Sequence, residues 1–200
     1  MKLTTIHSGN FKLDGGAMFG VVPKQLWNKL NPADEQNLCN WAMRCLLVEV
    51  DERKILIDTG IGNKQSEKFY AHYDLNGPYS LNASLHAAGV SHDDITDVIL
   101  THLHFDHCGG AVIRVDDKLR TAFPNATYHS TKEQWEHALN PNPREKASFL
   151  KENIEPIFEA GQLQYVKEGD IIAGFIEVLV CNGHTRGMMT PLIRVKDDLN

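Results

Sequence analysis

The first third of the chain contains runs in which hydrophobic and polar residues alternate, as in strands with one buried face. Leu3–His7 and Phe11–Leu13 predict a first hairpin. Trp41–Val50 and Lys54–Asp58 predict a second, with its turn at Asp51–Arg53. The N-terminal part of the chain is therefore expected to form antiparallel strand pairs.

Helical patterns begin further along the chain. Ser80–Ala88 predicts a helix in which Ser80 is the N-cap and Gly89 the terminator. A longer helix is expected over Glu145–Ala160, with an interruption near Pro156 because proline lacks the backbone N–H of a helix interior.

Short apolar runs alternate with these helical segments. The residues Ser130-Thr-Lys-Glu133 fit a capping box at the start of another helix. Further strands are predicted at Asp97–Thr101, Ala126–His129, Leu163–Val166, Phe175–Val180 and Thr190–Val195. Strand pairs with interleaved helices indicate a layered α/β fold in which helices cover sheets.

Composition excludes several classes of protein. A chain of 200 residues suits one domain, and the formal net charge of −6 argues mildly against nucleic acid as a partner. No apolar run is long enough to span a bilayer, so no membrane association is expected. The four cysteines lack C-x-x-C spacing and indicate neither a thiolate zinc site nor disulfides. Together with the absence of a secretory signal, this favours a cytoplasmic protein.

Residues able to bind a metal concentrate in Thr101-His-Leu-His-Phe-Asp-His-Cys-Gly-Gly110. His102 and His104 follow a predicted buried strand two positions apart and can project to the same side. Asp106 and His107 come where the backbone turns, and the two glycines permit a tight exit. Imidazole and carboxylate suit Zn²⁺, Mn²⁺ or Fe²⁺. Because the adjacent Asp106 and His107 cannot easily reach the metal of His102 and His104, two metals are expected.

A third imidazole for the first metal is available downstream. His184 lies in the loop Asn182-Gly-His-Thr185, which follows the predicted strand Phe175–Val180. The remaining histidines are expected to be ordinary surface or core residues: His7, His72, His86, His92, His129 and His137.

Three segments together resemble the metallo-β-lactamase superfamily. His102-Leu-His-Phe-Asp-His107 resembles its H-x-H-x-D-H signature, Gly183-His-Thr185 its second histidine loop, and Leu56-Ile-Asp-Thr-Gly60 the motif at the strand end beneath the site. The resemblance implies a single four-layer αββα sandwich domain over residues 1–200. It also implies a pair of zinc ions in a complete site, although manganese or iron would suit the same ligands.

The resemblance also implies roles for particular residues. His102, His104 and His184 would bind the first metal, and Asp106 and His107 the second. Asp58 would hydrogen-bond a ligand imidazole and set its orientation. Asp58 could instead cap the turn that follows its strand.

A metal-dependent hydrolase is the function that follows, in which a metal-bound hydroxide opens a lactone or another small ester. Asp106 would act both as a ligand and as the catalytic residue that orients the water. Leu13–Pro23, with Leu103 and Phe105, resembles the acyl-homoserine-lactone lactonase and organophosphate hydrolase branch. The glycines of Leu13–Pro23 and its apolar Met18-Phe19 could form a substrate lip, or they could be a connector with a buried phenylalanine.

Other functions remain open. They are a glyoxalase-II-like thioesterase, a phosphotriesterase and a non-catalytic binding module on the same fold. The partner expected is a small-molecule substrate rather than nucleic acid or membrane, and a homodimer is compatible with the sequence.

The end of the chain departs from the family pattern. A bridging aspartate and a final histidine for the second metal have no counterpart, because Asp197 and Asp198 lie in a predicted turn at 196–200. We therefore expect a domain that is incomplete at its C-terminus. Such a fragment is expected to bind one metal weakly or none and to be inactive alone.

Overall fold

The computed structural model describes residues 1–195, so the predicted turn at 196–200 and its two aspartates lie outside the described residues. The strands are β1 (Lys2–Asp14), β2 (Leu38–Val50), β3 (Arg53–Ile57), β4 (Asp97–Ile99), β5 (Val112–Val115), β6 (Lys118–Thr121), β7 (Thr127–Thr131), β8 (Leu163–Val166), β9 (Ile171–Ile172), β10 (Ile176–Val180) and β11 (Met189–Ile193). The α-helices are α1 (Gly15–Phe19), α2 (Lys24–Trp27), α3 (Glu67–Tyr70), α4 (Leu81–Ala87), α5 (Phe105–Cys108), α6 (Lys132–Leu139) and α7 (Glu155–Glu159). Across residues 1–195, no helix has the length and apolar character needed to cross a membrane.

Most of these strands belong to one large mixed sheet. Its six strands lie in the order β1-β2-β3-β4-β7-β8. The pairs β1-β2 and β2-β3 are antiparallel, whereas β3, β4, β7 and β8 run parallel. The carboxyl ends of the parallel strands therefore meet at one edge, which is where α/β sheets usually bind ligands. Strands β11, β10 and β9 form a second, antiparallel sheet.

The large sheet is covered on both faces. Successive side chains of a strand point to opposite faces, and here both sets are buried. Leu56 of β3 packs into a core that includes residues of α4, α6 and α7. Its neighbours Ile55 and Ile57 pack into a second core that includes Val178 and Met189 of the small sheet. Helices, large sheet and small sheet thus form successive layers, and the predicted α/β class is confirmed.

The second predicted hairpin and the first predicted helix are present. Strands β2 and β3 pair from Leu46 with Ile57 to Val50 with Arg53. Helix α4 begins after Ser80, whose side chain accepts a hydrogen bond from the backbone N–H of Ala83. The chain leaves α4 at Gly89, whose φ of 75° is the left-handed conformation of a helix terminator.

The first predicted hairpin is wrong, because both of its runs belong to the single strand β1. That strand pairs with β2 from Lys2 opposite Glu49 to Asp14 opposite Leu38. The register shifts between His7 and Gly9, where Gly9 has a φ of 125°. A bulge at this point absorbs the break in alternation that the sequence shows between the two runs.

Two helix boundaries also differ from expectation. Thr131 rather than Ser130 caps α6, because Thr131 is the last residue of β7 and its side chain accepts from the backbone N–H of Gln134 at 3.1 Å. The expected helix over Glu145–Ala160 is wrong. It is replaced by two 3₁₀ turns, Lys146–Ser148 and Lys151–Asn153, and the short helix α7. Pro156 lies in the first turn of α7, because a helix tolerates proline there but not in its interior.

Candidate metal centre

The predicted site lies at the carboxyl edge of the parallel strands. Asp58 follows β3 directly, and Thr101 and His102 follow β4. The loop between β10 and β11 reaches the same place, because the backbone N–H of Met189 donates to the carbonyl oxygen of Thr101 at 2.9 Å. This hydrogen bond brings His184, some eighty positions away in sequence, beside the segment that begins at His102.

Three histidines converge at this edge. His102, His104 and His184 each offer a ligand atom, and these atoms all lie within 4.8 Å of one another. Two of the rings are in hydrogen-bond contact, with His184 Nε2 lying 3.0 Å from His104 Nδ1. His102 and His104 are buried, whereas His184 is exposed. The structure thus brings together the three predicted ligands of the first metal, and metal binding by them stays a prediction.

Asp58 sets the protonation of two of the nearby rings. Its Oδ2 atom accepts from His107 Nδ1 at 2.8 Å and from the Thr101 hydroxyl at 2.9 Å. Because that hydroxyl donates its hydrogen bond to the carboxylate, its oxygen can only accept from His102. His102 Nδ1–H therefore donates to Thr101 Oγ1 at 3.1 Å. Both imidazoles therefore keep their proton on Nδ1 and present an Nε2 lone pair. The predicted contact of Asp58 with a candidate ligand imidazole is present in the structure.

The residues of this cluster fit a metal cation. His102 Nε2 is buried and accepts no hydrogen bond, and leaving such an atom unpaired costs about 1–3 kcal/mol. Burial lowers the pKa of His102, and burial with the nearby His184 lowers the pKa of His104 to about 4. Both rings are therefore neutral near pH 7, which is the state that binds metals. Three imidazoles suit a zinc-type ion.

Asp106 and His107 form a neighbouring pair on α5. Asp106 Oδ2 lies 3.6 Å from His107 Nε2, and the ring of His107 lies 4.0 Å from that of His102. Burial raises the pKa of Asp106. Burial alone would lower the pKa of His107, but the hydrogen bond to Asp58 and the charges of Asp58 and Asp106 together outweigh burial and raise this pKa. The pair lies where the predicted second metal would need it, and that role also stays a prediction.

The two glycines after His107 serve close packing. Gly109 has a φ of −59°, which any residue adopts, so the expected role in a tight turn is not what requires it. The backbone of Gly109 and Gly110 instead packs against the loop Thr59–Gly62. Gly110 N–H donates to the carbonyl oxygen of Gly60 at 2.9 Å. A side chain on either glycine would overlap a backbone carbonyl of that loop.

The sequence did not point to Glu145, which lies beside the cluster. Its Oε1 atom is 3.6 Å from His104 Nε2, and its Oε2 atom is 3.0 Å from His137 Nε2. Burial raises the pKa of Glu145, but polar contacts with Thr185, His137 and Asn142 outweigh burial and lower the pKa to about 2. Neither spacing nor periodicity links position 145 to the histidines, so no local signal predicts this contact.

A small cavity opens beside the candidate second-metal pair. Its volume is about 220 Å³, and its walls include Asp58, Asp106 and His107 together with apolar side chains of β1 and β2. Met18, from the segment expected to form a substrate lip, also lines it. Phe19 instead stacks on Trp27 at 4.7 Å between ring centroids. Of the predicted apolar pair, Met18 alone lines the cavity.

Comparison with known proteins decides the family. A family model described as the metallo-beta-lactamase superfamily matches residues 44–187, which is more than two thirds of the chain. The chain belongs to the metallo-β-lactamase superfamily. The family predicted from the His102–His107 signature is therefore confirmed.

Among curated members of the superfamily, the N-acyl homoserine lactonase AiiA of Bacillus thuringiensis subsp. kurstaki is 28% identical over 208 aligned positions. The alignment covers 98% of this chain and 71% of that lactonase. The N-acyl homoserine lactonase AiiB of Agrobacterium fabrum is 27% identical over 54% of this chain and 42% of its own length. These relatives support a hydrolase role.

Solved structures of the superfamily share the fold. A probable metal-dependent hydrolase from Staphylococcus aureus has a TM-score of 0.85 at 31% identity, over 94% of this chain and 66% of that chain. AidC, described as a dizinc quorum-quenching lactonase and solved with a product, has a TM-score of 0.74 at 23% identity, over 98% and 68%. This chain thus spans about two thirds of the length of these structures.

The low pKa of His104 predicts acid sensitivity of the metal-free protein. Unfolding returns this pKa from about 4 to about 6.5, so between these pH values the unfolded chain binds a proton that the folded chain does not. We expect His104 to remove up to about 3 kcal/mol of stability as pH falls through this window. Urea unfolding of the chelator-treated protein at pH 7 and pH 4.5 measures the loss.

Comparison of two variants isolates the contribution of His104. His104→Asn lacks the titrating ring and should lose less stability between the two pH values than the unsubstituted protein. His86→Asn replaces an exposed histidine and should leave the acid loss unchanged. Equal acid losses in the protein and in His104→Asn would contradict the assignment.

Proposed function

We propose that this protein is a metal-dependent hydrolase that opens a lactone or a similar small ester. The convergence of His102, His104 and His184 beside Asp106 and His107 is the observation that carries the proposal. The lactonases among the curated relatives favour a lactone as the substrate.

In this proposal the three histidines hold one cation, and Asp106 and His107 contribute to a second. When bound, such ions supply Lewis acidity, which makes water nucleophilic near neutral pH and polarises a carbonyl oxygen. Zinc is the metal that we propose, on the grounds of the imidazole-rich ligand set.

The side chains of the chain itself supply the positioning. Through the hydrogen bonds described above, Asp58 holds the Nδ1 proton of His107 directly and that of His102 by way of Thr101, so the lone pair of each neutral ring is on Nε2. We propose that the carboxylate of Asp106 accepts a hydrogen bond from the attacking water and orients it. The exposed ring of His184 leaves the cluster open to substrate.

The cavity beside Asp106 and His107 would hold part of the substrate. Its apolar walls include Phe11, Met18 and Trp41, so they suit a hydrocarbon portion. At about 220 Å³ the cavity is smaller than most ligand pockets, which hold roughly 300–1,000 Å³. We therefore propose that it takes the part of the substrate nearest the reacting carbonyl.

Metal content and substrate preference test the proposal together. The purified protein would be loaded with zinc, analysed for bound metal, and assayed against acyl-homoserine lactones, a thioester and a phosphotriester. We expect metal-dependent hydrolysis that is fastest for a lactone and is lost on chelation. Preference for the thioester or the phosphotriester would overturn the lactone assignment. A metal-loaded protein inactive on all three substrates would overturn the hydrolase proposal for this chain, in favour of a binding module or of the inactive fragment expected from the sequence.

A further inference from the structure

Two polar atoms without hydrogen-bond partners face each other beside the three-histidine cluster. His104 turns Nδ1 towards His184, so its Nε2 atom points away from the cluster. That Nε2 atom is buried and makes no hydrogen bond. The facing atom is Glu145 Oε1, at 3.6 Å, which is also buried and unpaired. Neither atom can turn to water, and the Thr185 hydroxyl, which is also buried and unpaired, is a further polar contact of the Glu145 carboxylate.

From this geometry we infer that Glu145 is a positioning residue for His104. Its carboxylate accepts a hydrogen bond from His104 Nε2–H, which leaves the lone pair on Nδ1 directed towards His102 and His184. The inference rests on the proposed metal site, because an Nδ1 lone pair matters only if a cation accepts it. A carboxylate behind a ligand imidazole sets its tautomer and raises its basicity.

The carboxylate is held ready for this role by its other contacts. Glu145 Oε2 accepts from His137 Nε2 at 3.0 Å and from the side-chain amide of Asn142. The backbone N–H of Glu145 donates to Asn142 Oδ1 at 3.0 Å. These bonds occupy Oε2, so Oε1 is left for His104 and for the hydroxyl of Thr185. The separation of 3.6 Å exceeds a hydrogen bond by roughly half an ångström, so the two side chains must approach by that distance for the bond to form.

Glu145 could instead serve only to join its loop to α6 through His137. The two roles differ in what each variant should do. If Glu145 only anchors the loop, loss of Glu145 and loss of His137 should lower the free energy of unfolding by equal amounts. A positioning residue should act on metal affinity, mainly through Glu145 itself.

Zinc affinity, measured by competition with a chromophoric chelator, tests this inference without reference to activity. We expect Glu145→Gln to bind zinc about 10–100-fold more weakly than the unsubstituted protein, and Glu145→Asp to recover part of the loss. His137→Gln, which keeps the carboxylate, should lose less than Glu145→Gln. The matched control is Glu136→Gln on the exposed face of α6, where Glu136 forms an ion pair with Lys132. This variant should bind zinc as tightly as the unsubstituted protein.

A spectroscopic measurement separates positioning from folding. In nitrogen-15 spectra of the zinc-loaded protein, the His104 Nε2–H signal should be present and protected from exchange, and in Glu145→Gln it should exchange faster. Unchanged zinc affinity in Glu145→Gln overturns the inference. The inference is also overturned if His137→Gln and Glu145→Gln lose equal amounts of zinc affinity together with equal amounts of unfolding free energy. If the unsubstituted protein binds no zinc, the metal site itself is overturned, so the two failures are distinguishable.

Discussion

Replacement of His102 with asparagine is expected to abolish tight metal binding and with it nearly all hydrolysis. His102 Nε2 is the one cluster atom that is buried, held free of its proton through Thr101, and left without any hydrogen bond. Asparagine is too short to place a donor atom at the same point. A metal ion contributes several kcal/mol to such reactions, so hydrolysis should fall by about 1,000-fold or more.

The same substitution should change the metal-free protein far less. It removes an unpaired buried nitrogen, so the loss of one hydrogen bond to Thr101 should be offset in part. We expect the free energy of unfolding without metal to change by about 1 kcal/mol or less. Zinc titration, hydrolysis assays and urea unfolding of His102→Asn separate the two effects. The matched control is His86→Asn on the exposed face of α4. Normal zinc binding by His102→Asn would contradict the proposed metal centre.

Local sequence predicted the cluster because its geometry depends on few residues. His102 and His104 follow a short strand that is buried throughout, and the residues after it can only emerge at the sheet edge. His184 was predicted only in combination with the cluster, which lacked a third imidazole, because an isolated histidine in a loop carries no information about its neighbours. The hydrogen bond from Met189 to Thr101 that brings it near is a contact between distant backbone atoms.

Other features depended on contacts that no local pattern contains. The two halves of β1 alternate as a hairpin would, and only the 13-residue partner β2 makes them one bulged strand. Glu145 was assigned to a helix, whereas its side chain is held by His137 and Asn142 in a loop beside His104. Pro156 was expected to interrupt a longer helix, but that helix is absent and Pro156 lies in the first turn of α7.

The reason for the two glycines after His107 could not be predicted from the sequence either. Paired glycines in a sequence indicate either an unusual backbone conformation or a close approach, and the sequence does not distinguish them. Here the backbone of Gly109 is ordinary and the approach to Ile61 is close. This approach holds the loop that follows Asp58 against the segment that carries Asp106 and His107. A hydrogen bond from Thr59 N–H to the His107 carbonyl oxygen at 2.8 Å joins the same two segments.

Gly109→Ala should therefore damage both the stability of the protein and its metal site. The new methyl group would overlap the carbonyl of Ile61, which belongs to the backbone and cannot rotate away as a side chain would. Forcing such loops apart costs about 1–3 kcal/mol. The shift would also lengthen the hydrogen bond between Asp58 and His107, so we expect weaker zinc binding together with a lower urea midpoint.

Gly183→Ala is the matched control, because a methyl group at Gly183 meets nothing within 4 Å although its neighbour is His184. It should leave the urea midpoint and zinc affinity close to those of the unsubstituted protein. If Gly109→Ala matched this control in both measurements, the two loops would be free to separate. Asp58 could then not act as the hydrogen-bond acceptor that orients His107, because that contact requires the loops to stay in register.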